Sequence, residues 1–334
     1  MNNNNRQITY AQAINEAIDI SLNKDQSVFL IGLGVTDPIG VFGSTKGLKE
    51  KYGNNRVYDM PISENAVTGI CLGSSLVGMR PIMTHMRLEF AITAMDQICN
   101  QAAKWHYMFG GQINVPITIR LIIGRGWGQG PTHSQNLQAW FAHIPGLRVV
   151  MPYSVLDARD LLISSVLCKD PVIFIDDRWL YEEKEERKEV EKLNLEEVTS
   201  RKVLDGDDIT IISSGYSTKI SKNAIKIFND IYKNFSIELI DLRVINPINY
   251  DLILKSICKT KRFIVVDGGW KTCGLASEII SSVVEKLDTN ILLSKPINLS
   301  LKNCPAPSSN ILEREYYLSE QDIVNLLKSE LVNY

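Results

Sequence analysis

Ile117-Thr118-Ile119-Arg120-Leu121-Ile122-Ile123 is continuous and rich in β-branched residues, as expected of a strand buried on both faces. Such strands belong to parallel sheets covered by helices, and the segments on either side agree. Upstream, Leu88–Met108 has the length and pattern of a long helix, and Pro81–Met86 reads as a strand. Ser63 can cap a helix running from Glu64 to about Gly78, and Val28–Ile31 is a short apolar strand. Thr9-Tyr10-Ala11-Gln12 is a capping box that opens a helix with Ala13, Ile14, Ala17 and Ile18 on one face. Downstream come a helix over Ser134–His143, a strand over Leu147–Met151, a Ser154-capped helix and a strand over Val172–Ile175. From Tyr181 to Lys202, Glu, Lys and Arg dominate, which predicts a solvated connector. Alternation then resumes with strands at Ile209–Ser213, Ile237–Leu242 and Phe263–Asp267. Helices are expected at Ser217–Phe235, Tyr250–Thr260 and Leu275–Leu287. The expectation is two three-layer α/β domains, over residues 1–180 and 205–334, joined by a charged linker at 181–204.

The bulk properties exclude several classes. A chain of 334 residues is comfortable for two domains, and its net charge of −2 gives no electrostatic case for nucleic acid or an anionic membrane. The cysteines, Cys71, Cys99, Cys168, Cys258, Cys273 and Cys304, form no C-x-x-C pair and read as reduced thiols. Met1–Gln7 is asparagine-rich and polar, without a signal-peptide core, and no apolar run approaches the ~20 residues of a membrane span. A cytoplasmic protein is expected. Gly32-Leu33-Gly34 follows a strand, but Asp37 takes the place of the third glycine of a dinucleotide loop and Pro38 opposes an immediate helix. No P-loop, H-E-x-x-H or G-x-S-x-G motif is present, and His85, His106, His133 and His143 fit no familiar metal spacing. An α/β chain without a phosphate loop invites the expectation that a second chain anchors its ligand.

A series of ordered blocks answers that expectation. They include Pro61-Ile62-Ser63-Glu64, Gly78-Met79-Arg80-Pro81, Ala94-Met95-Asp96-Gln97-Ile98, Asn100-Gln101-Ala102-Ala103-Lys104 and Tyr107-Met108-Phe109-Gly110-Gly111. His133-Ser134-Gln135, Pro145-Gly146-Leu147-Arg148, Ile240-Asp241-Leu242-Arg243 and Asp267-Gly268-Gly269-Trp270 continue the series. In this order and spacing they resemble the beta subunit of thiamine-diphosphate-dependent 2-oxo-acid dehydrogenase decarboxylases, of the pyruvate and branched-chain kinds. The resemblance implies a transketolase-like pyrimidine-binding domain followed by a transketolase C-terminal domain. It also implies an alpha subunit, in an α2β2 heterotetramer, that holds the diphosphate and Mg²⁺ through a G-D-G…N segment. Here the nearest string, Gly206-Asp207-Asp208, lacks the second glycine.

Roles follow from the same resemblance. Taken from position alone, Glu64 is a first-turn acid favoured by the helix dipole. The resemblance instead assigns its carboxyl group to a ring nitrogen of the aminopyrimidine, where it promotes the imino tautomer that activates the cofactor. Phe90 is placed against the pyrimidine ring, with Met86 and Leu33 as further cofactor contacts. His133 follows a glycine-rich loop and faces the substrate or acyl intermediate. Arg87, Arg125 and Trp127 stand as substrate-loop candidates suited to a bulkier or anionic substrate. Ile117 and the Ser165–Asp170 segment match a potassium-binding region, in a loop that is one residue shorter here. Gly69, Gly73 and Gly78 make one helix small-faced, which the resemblance reads as a subunit interface. Two features depart from the family pattern. Leu33 and Gly34 stand where relatives carry acids, and Gly130-Pro131-Thr132-His133 resembles transketolases and deoxyxylulose phosphate synthases.

The leading functional expectation is a decarboxylating component that acts on a pyruvate-like 2-oxo acid and passes the acyl group to a lipoyl acyltransferase. The alternative is a thiamine-dependent carboligase or acetoin-type enzyme with a carbonyl acceptor such as a sugar. A non-catalytic assembly subunit is the third reading, opposed by Glu64, Phe90 and His133.

Overall fold

The computed structural model describes residues 7–332. The asparagine-rich start lies outside them apart from Gln7. The chain divides into two compact units, one formed by residues 1–124 and 140–198, the other by 125–139 and 199–334. No described helix is long and apolar enough to cross a membrane.

The first unit contains β1 (Gln7–Thr9), β2 (Val28–Gly32), β3 (Val57–Tyr58), β4 (Arg80–His85), β5 (Thr118–Ile123), β6 (Arg148–Val150), β7 (Val172–Asp177) and β8 (Lys184–Glu186). Its main sheet is parallel, with β6, β7, β5, β4, β2 and β3 side by side in that order. Strand β5 lies near the middle, and Ile119, Leu121, Ile122 and Ile123 are fully buried there. Each such side chain contributes about 1.5–3 kcal/mol through burial. The helix Tyr10–Lys24 has the expected capping box and buries Ala13, Ile14, Ala17 and Ile18. Because every strand of this sheet runs the same way, Gly32, Tyr58, His85, Ile123 and Asp177 all end at one edge. Open α/β sheets bind ligands at that carboxyl edge.

The second unit contains β9 (Arg201–Leu204), β10 (Ile209–Ser213), β11 (Ile237–Asp241), β12 (Val244–Asn246), β13 (Phe263–Trp270) and β14 (Ile297–Leu301). Its sheet runs β14-β13-β10-β11-β9, with β9 antiparallel to β11. Helices Tyr216–Ile231 and Glu320–Leu331 close a core that includes Ile211, Ile220, Phe228, Leu239 and Leu327.

Four expectations change. Leu88–Met108 is a 3₁₀ segment (Leu88–Ala94), a π segment (Asp96–Ala102) and a short α-helix (Ala103–Met108). Thr93 Oγ1 donates to the Phe90 carbonyl at 2.8 Å, the local competition that disfavours a regular helical ladder. The helix expected from Ser134 begins only at Gln138, because Asn136 Nδ2 and Gln138 Nε2 donate to Gly268 O and Asp267 Oδ1, each at 2.6 Å. Ser63 precedes the helix Glu64–Leu76 but its side chain makes no cap hydrogen bond. The stretch expected as a solvated connector is fastened to the first unit. Within it, β8 pairs with β1, and Arg159 donates to the carbonyls of Lys188 and Glu189.

Candidate functional site

At the carboxyl edge of the first sheet, the turn after β2 is closely fitted. Gly32 faces Thr84 on β4, and a Cβ there would lie 2.5 Å from the Thr84 carbonyl oxygen. Gly34 has φ +74°, and a Cβ on it would lie 3.1 Å from Met86 Cε. Met86, in the segment after β4, therefore packs against the Leu33-Gly34 turn. Asp59 pins that turn from below: its Oδ1 accepts from the N–H groups of Gly34 and Met60 at 2.9 and 2.8 Å. The same carboxylate thus joins the turn to the segment that delivers Glu64. The structure brings together Leu33, Met86 and the entry to Glu64. Asp59 was not read from the sequence; its place two residues before Pro61 was the available signal.

Glu64 is half-buried at the first position of its helix, and its carboxylate makes no hydrogen bond or ion pair among the described residues. A carboxylate held at a rigid helix start without a protein partner suits a ligand nitrogen. Phe90 is half-buried on the 3₁₀ segment that packs against the Glu64 helix. His85, read as structural, is buried at the end of β4, and its Nε2 has no hydrogen-bond partner. Burial lowers its pKa to about 4 and keeps the ring neutral.

Arg87 is buried, its head resting on Gly124, where a Cβ would lie 2.6 Å from Cζ. Its guanidinium stands 5.2 Å from the Phe42 ring centroid, and that of Arg178 stands 4.0 Å from the same centroid. Burial and the neighbouring Arg178 charge lower the Arg87 pKa. Behind this group, Arg120 and Asp176 form a fully buried pair on β5 and β7. Arg120 also donates to Ser44 Oγ and Tyr181 Oη, at 2.9 and 2.6 Å. That network raises the Arg120 pKa despite burial, chiefly through Asp176.

Arg125, Trp127 and His133 lie on residues 125–139, which belong to the second unit. Arg125 is buried over the Tyr216 ring at 4.7 Å. Trp127 has φ +56° and is 57% exposed. His133 is exposed, with Nδ1 hydrogen-bonded to Thr132 Oγ1 at 3.0 Å. Asp267 anchors the far end of the loop through Gln138, and burial raises its carboxyl pKa.

At the segment matched to a potassium region, Arg80 Nη1 donates to the carbonyls of Val166 and Cys168, at 2.8 and 3.0 Å. Ile117 O accepts from Val172 N–H, and Asp170 pairs with Arg148 at 2.7 Å. Ser165 Oγ donates to Leu161 O at 2.7 Å. Each of these groups carries a hydrogen bond or ion pair within the chain itself, and the side-chain cation beside the helix end is Arg80. No cluster of His, Cys, Asp and Glu suited to a metal occurs among the described residues. Gly206-Asp207-Asp208 is a tight turn whose Asp207 and Asp208 N–H groups donate to Ser236 O.

Comparison with known proteins accords with this geometry. Residues 6–184 match the transketolase pyrimidine-binding domain, and residues 199–323 match the transketolase C-terminal domain. The pyruvate dehydrogenase E1 component subunit beta of Rickettsia bellii is 36% identical over 326 residues, spanning 96% of this chain and 98% of the relative. The chain belongs to this family. The mitochondrial subunit of Ascaris suum is 34% identical over 96% of this chain and 89% of its own length. An inactive beta4 tetramer of a split-gene transketolase has the same fold, with TM-score 0.76 at 17% identity over 97% of this chain and 99% of that one.

Proposed function

We propose that this chain is the beta-type subunit of a thiamine-diphosphate-dependent 2-oxo-acid dehydrogenase, active in an α2β2 assembly with an alpha subunit. A pyruvate-like 2-oxo acid is decarboxylated and its acyl group passes to the lipoyl group of a partner acyltransferase. The observation that carries the reading is the unpartnered Glu64 carboxylate, delivered by the Asp59-pinned turn to the ligand edge of a pyrimidine-binding fold. Bound cofactor supplies the electron sink for loss of CO₂.

The chain's own residues do the positioning. Glu64 holds a proton at the distal ring nitrogen of the pyrimidine, and the Gly34 turn and Met86 border that ring. Phe90 offers an aromatic face worth about 1 kcal/mol beyond its area burial. His133, exposed on its loop, serves as an acid–base group in the acyl transfer. The diphosphate and Mg²⁺ fall to the alpha subunit, since the amides of the Gly206-Asp207-Asp208 turn already serve Ser236. A partner is also supported by the exposed stripe Ala66, Ile70, Gly73 and Val77, in which Val77 is 81% exposed.

The test is reconstitution with the alpha subunit. The full chain alone should not bind thiamine diphosphate with Mg²⁺ in calorimetry, whereas the complex should. Glu64→Gln should leave assembly intact and nearly abolish exchange of the thiazolium proton followed by NMR. Tight Mg²⁺-dependent binding by the lone chain, or wild-type exchange in the variant, would overturn the assignment.

A further inference from the structure

We propose that His85 is a positioning residue for Glu64, its buried imidazole linked to the Glu64 carboxyl group through one bound water. The inference rests on the proposed function for the ligand that Glu64 meets, but not for the link between the two side chains.

Register places the two residues level with one another. The helix Glu64–Leu76 ends shortly before β4 begins at Arg80, so it runs back along the sheet and its first turn lies at the carboxyl edge. Thr68 fixes the height of that helix against β4. It is fully buried, and its Oγ1 donates to Glu64 O at 2.7 Å and lies 3.2 Å from Met83 Sδ. Glu64 stands one turn up the helix from Thr68, a rise of about 6 Å. His85 stands two residues along β4 from Met83, a rise of about 6–7 Å, and alternation puts both side chains on the same face. His85 and the first turn of the Glu64 helix therefore share one level of the seam between helix and sheet.

Neither group finds a partner among the described residues. His85 is 2% exposed and its Nε2 has no hydrogen bond, while the Glu64 carboxylate makes no hydrogen bond or ion pair. On the same face, Met83 on β4 and Leu121 and Ile123 on β5 are apolar and fully buried, so these strands offer the ring no polar side chain. Phenylalanine would fill such a place without burying a ring nitrogen, so space-filling alone is a poor account of the imidazole. Burial keeps the ring neutral, and a neutral ring brings one N–H donor and one acceptor to the seam. Two polar groups that share a level without bonding directly suit one bridging water. The consequence falls on geometry. A carboxyl group has two oxygens, and the pyrimidine nitrogen needs only one of them. Tying the other to a rigid strand removes rotamer freedom from a long side chain and fixes the direction in which the carboxyl group meets the ring.

The test reads the link first and its use second. In the full chain alone, ¹⁵N-histidine labelling reports four imidazoles. His106, His133 and His143 are exposed and His85 is buried and neutral, which assigns its signal, and His85→Phe removes it. Glu64→Gln should shift the His85 Nε2 resonance, whereas Ile70→Ala, further along the same helix, should leave it in place. An Nε2 resonance unmoved by Glu64→Gln overturns the link. In the reconstituted complex, His85→Phe should assemble as wild type and slow exchange of the thiazolium proton about tenfold, the scale of one hydrogen bond to an ionised group. His85→Gln, which returns an N–H near the Nε2 position, should recover most of that rate. Wild-type exchange in His85→Phe, or equal slowing in the Phe and Gln variants, refutes the positioning role. If the His85 signal answers to Glu64→Gln while the complex binds no thiamine diphosphate, the link stands and the functional reading fails.

Discussion

Asp176→Asn is a perturbation whose size the structure sets. Arg120 and Asp176 are both fully buried, joined through Nε–Oδ1 at 3.1 Å and Nη2–Oδ2 at 2.8 Å. Tyr181 Oη donates to the same carboxylate at 2.6 Å. Asparagine keeps the shape but removes the charge, leaving a guanidinium in the core without its counterion. Breaking a buried pair on one side costs about 3–5 kcal/mol. At about 2–4 °C per kcal/mol for a domain of this size, Tm should fall by roughly 10 °C. Arg120→Met with Asp176→Asn removes both charges, and Ser44 Oγ keeps its bond to Val41 O, so the remaining cost is chiefly the Tyr181 hydroxyl, about 1–3 kcal/mol. The double variant should therefore be no less stable than the single one. Calorimetric melting of wild type, both single variants and the double closes the cycle. A single variant that melts within 2 °C of wild type would refute the premise that this pair is dry and mutually dependent.

Further outcomes follow from other parts of the fold. Acid should destabilise the protein through His85: its unfolded pKa near 6.5 exceeds the folded value of about 4, so the unfolded state binds the proton first and stability falls as pH drops between them. The full loss is on the order of 3 kcal/mol, and urea titrations at pH 7 and pH 4 on wild type and His85→Phe should show a smaller loss in the variant. Gly146→Ala should cost at least ~3 kcal/mol, since φ is +98° and a Cβ would lie 1.9 Å from Ala103 O; a melt unchanged from wild type would contradict that geometry. Exchanging potassium for sodium at constant ionic strength should leave Tm unchanged, because Arg80 already donates to the Val166 and Cys168 carbonyls. His133→Ala should spare Tm and cofactor binding while lowering single-turnover acyl transfer by ~10²–10⁴; the reverse pattern assigns the ring a structural role.

Periodicity made the parallel sheets legible because a strand buried on both faces, such as β5, must be apolar throughout. Thr9 and Ser154 were legible as caps for a similar reason, since a short local hydrogen bond leaves a mark in a few adjacent residues. The 125–139 loop was not. Its start and end conformations depend on Tyr216, Asp267 and Gly268, far along the chain, and no local pattern encodes such partners. Arg178 was missed for the opposite reason. It lies beside the charged stretch read as solvated, where an arginine looks like solubility. Its meeting with Phe42 requires three strand ends to converge. In the sequence Arg80 is legible only as part of the Gly78-Met79-Arg80-Pro81 block, and its reach to the carbonyls of Val166 and Cys168 comes from packing alone.

The excursion of residues 125–139 into the second unit also bears on how the chain is made. Synthesis proceeds from the N-terminus, so β5 through β8 emerge before the seat of this loop exists. Gly268 and Asp267, which take Asn136 and Gln138, are translated more than a hundred residues later. The first unit can therefore fold early around an open segment, with Arg125, Trp127 and His133 unmoored, until β13 is in place. Long-range closure of this kind is slow, and the waiting intermediate exposes apolar surface and chain to misassembly and proteases. A ribosome-stalled or truncated product ending before Phe263 should be cleaved within residues 125–139, in a region that the complete chain protects.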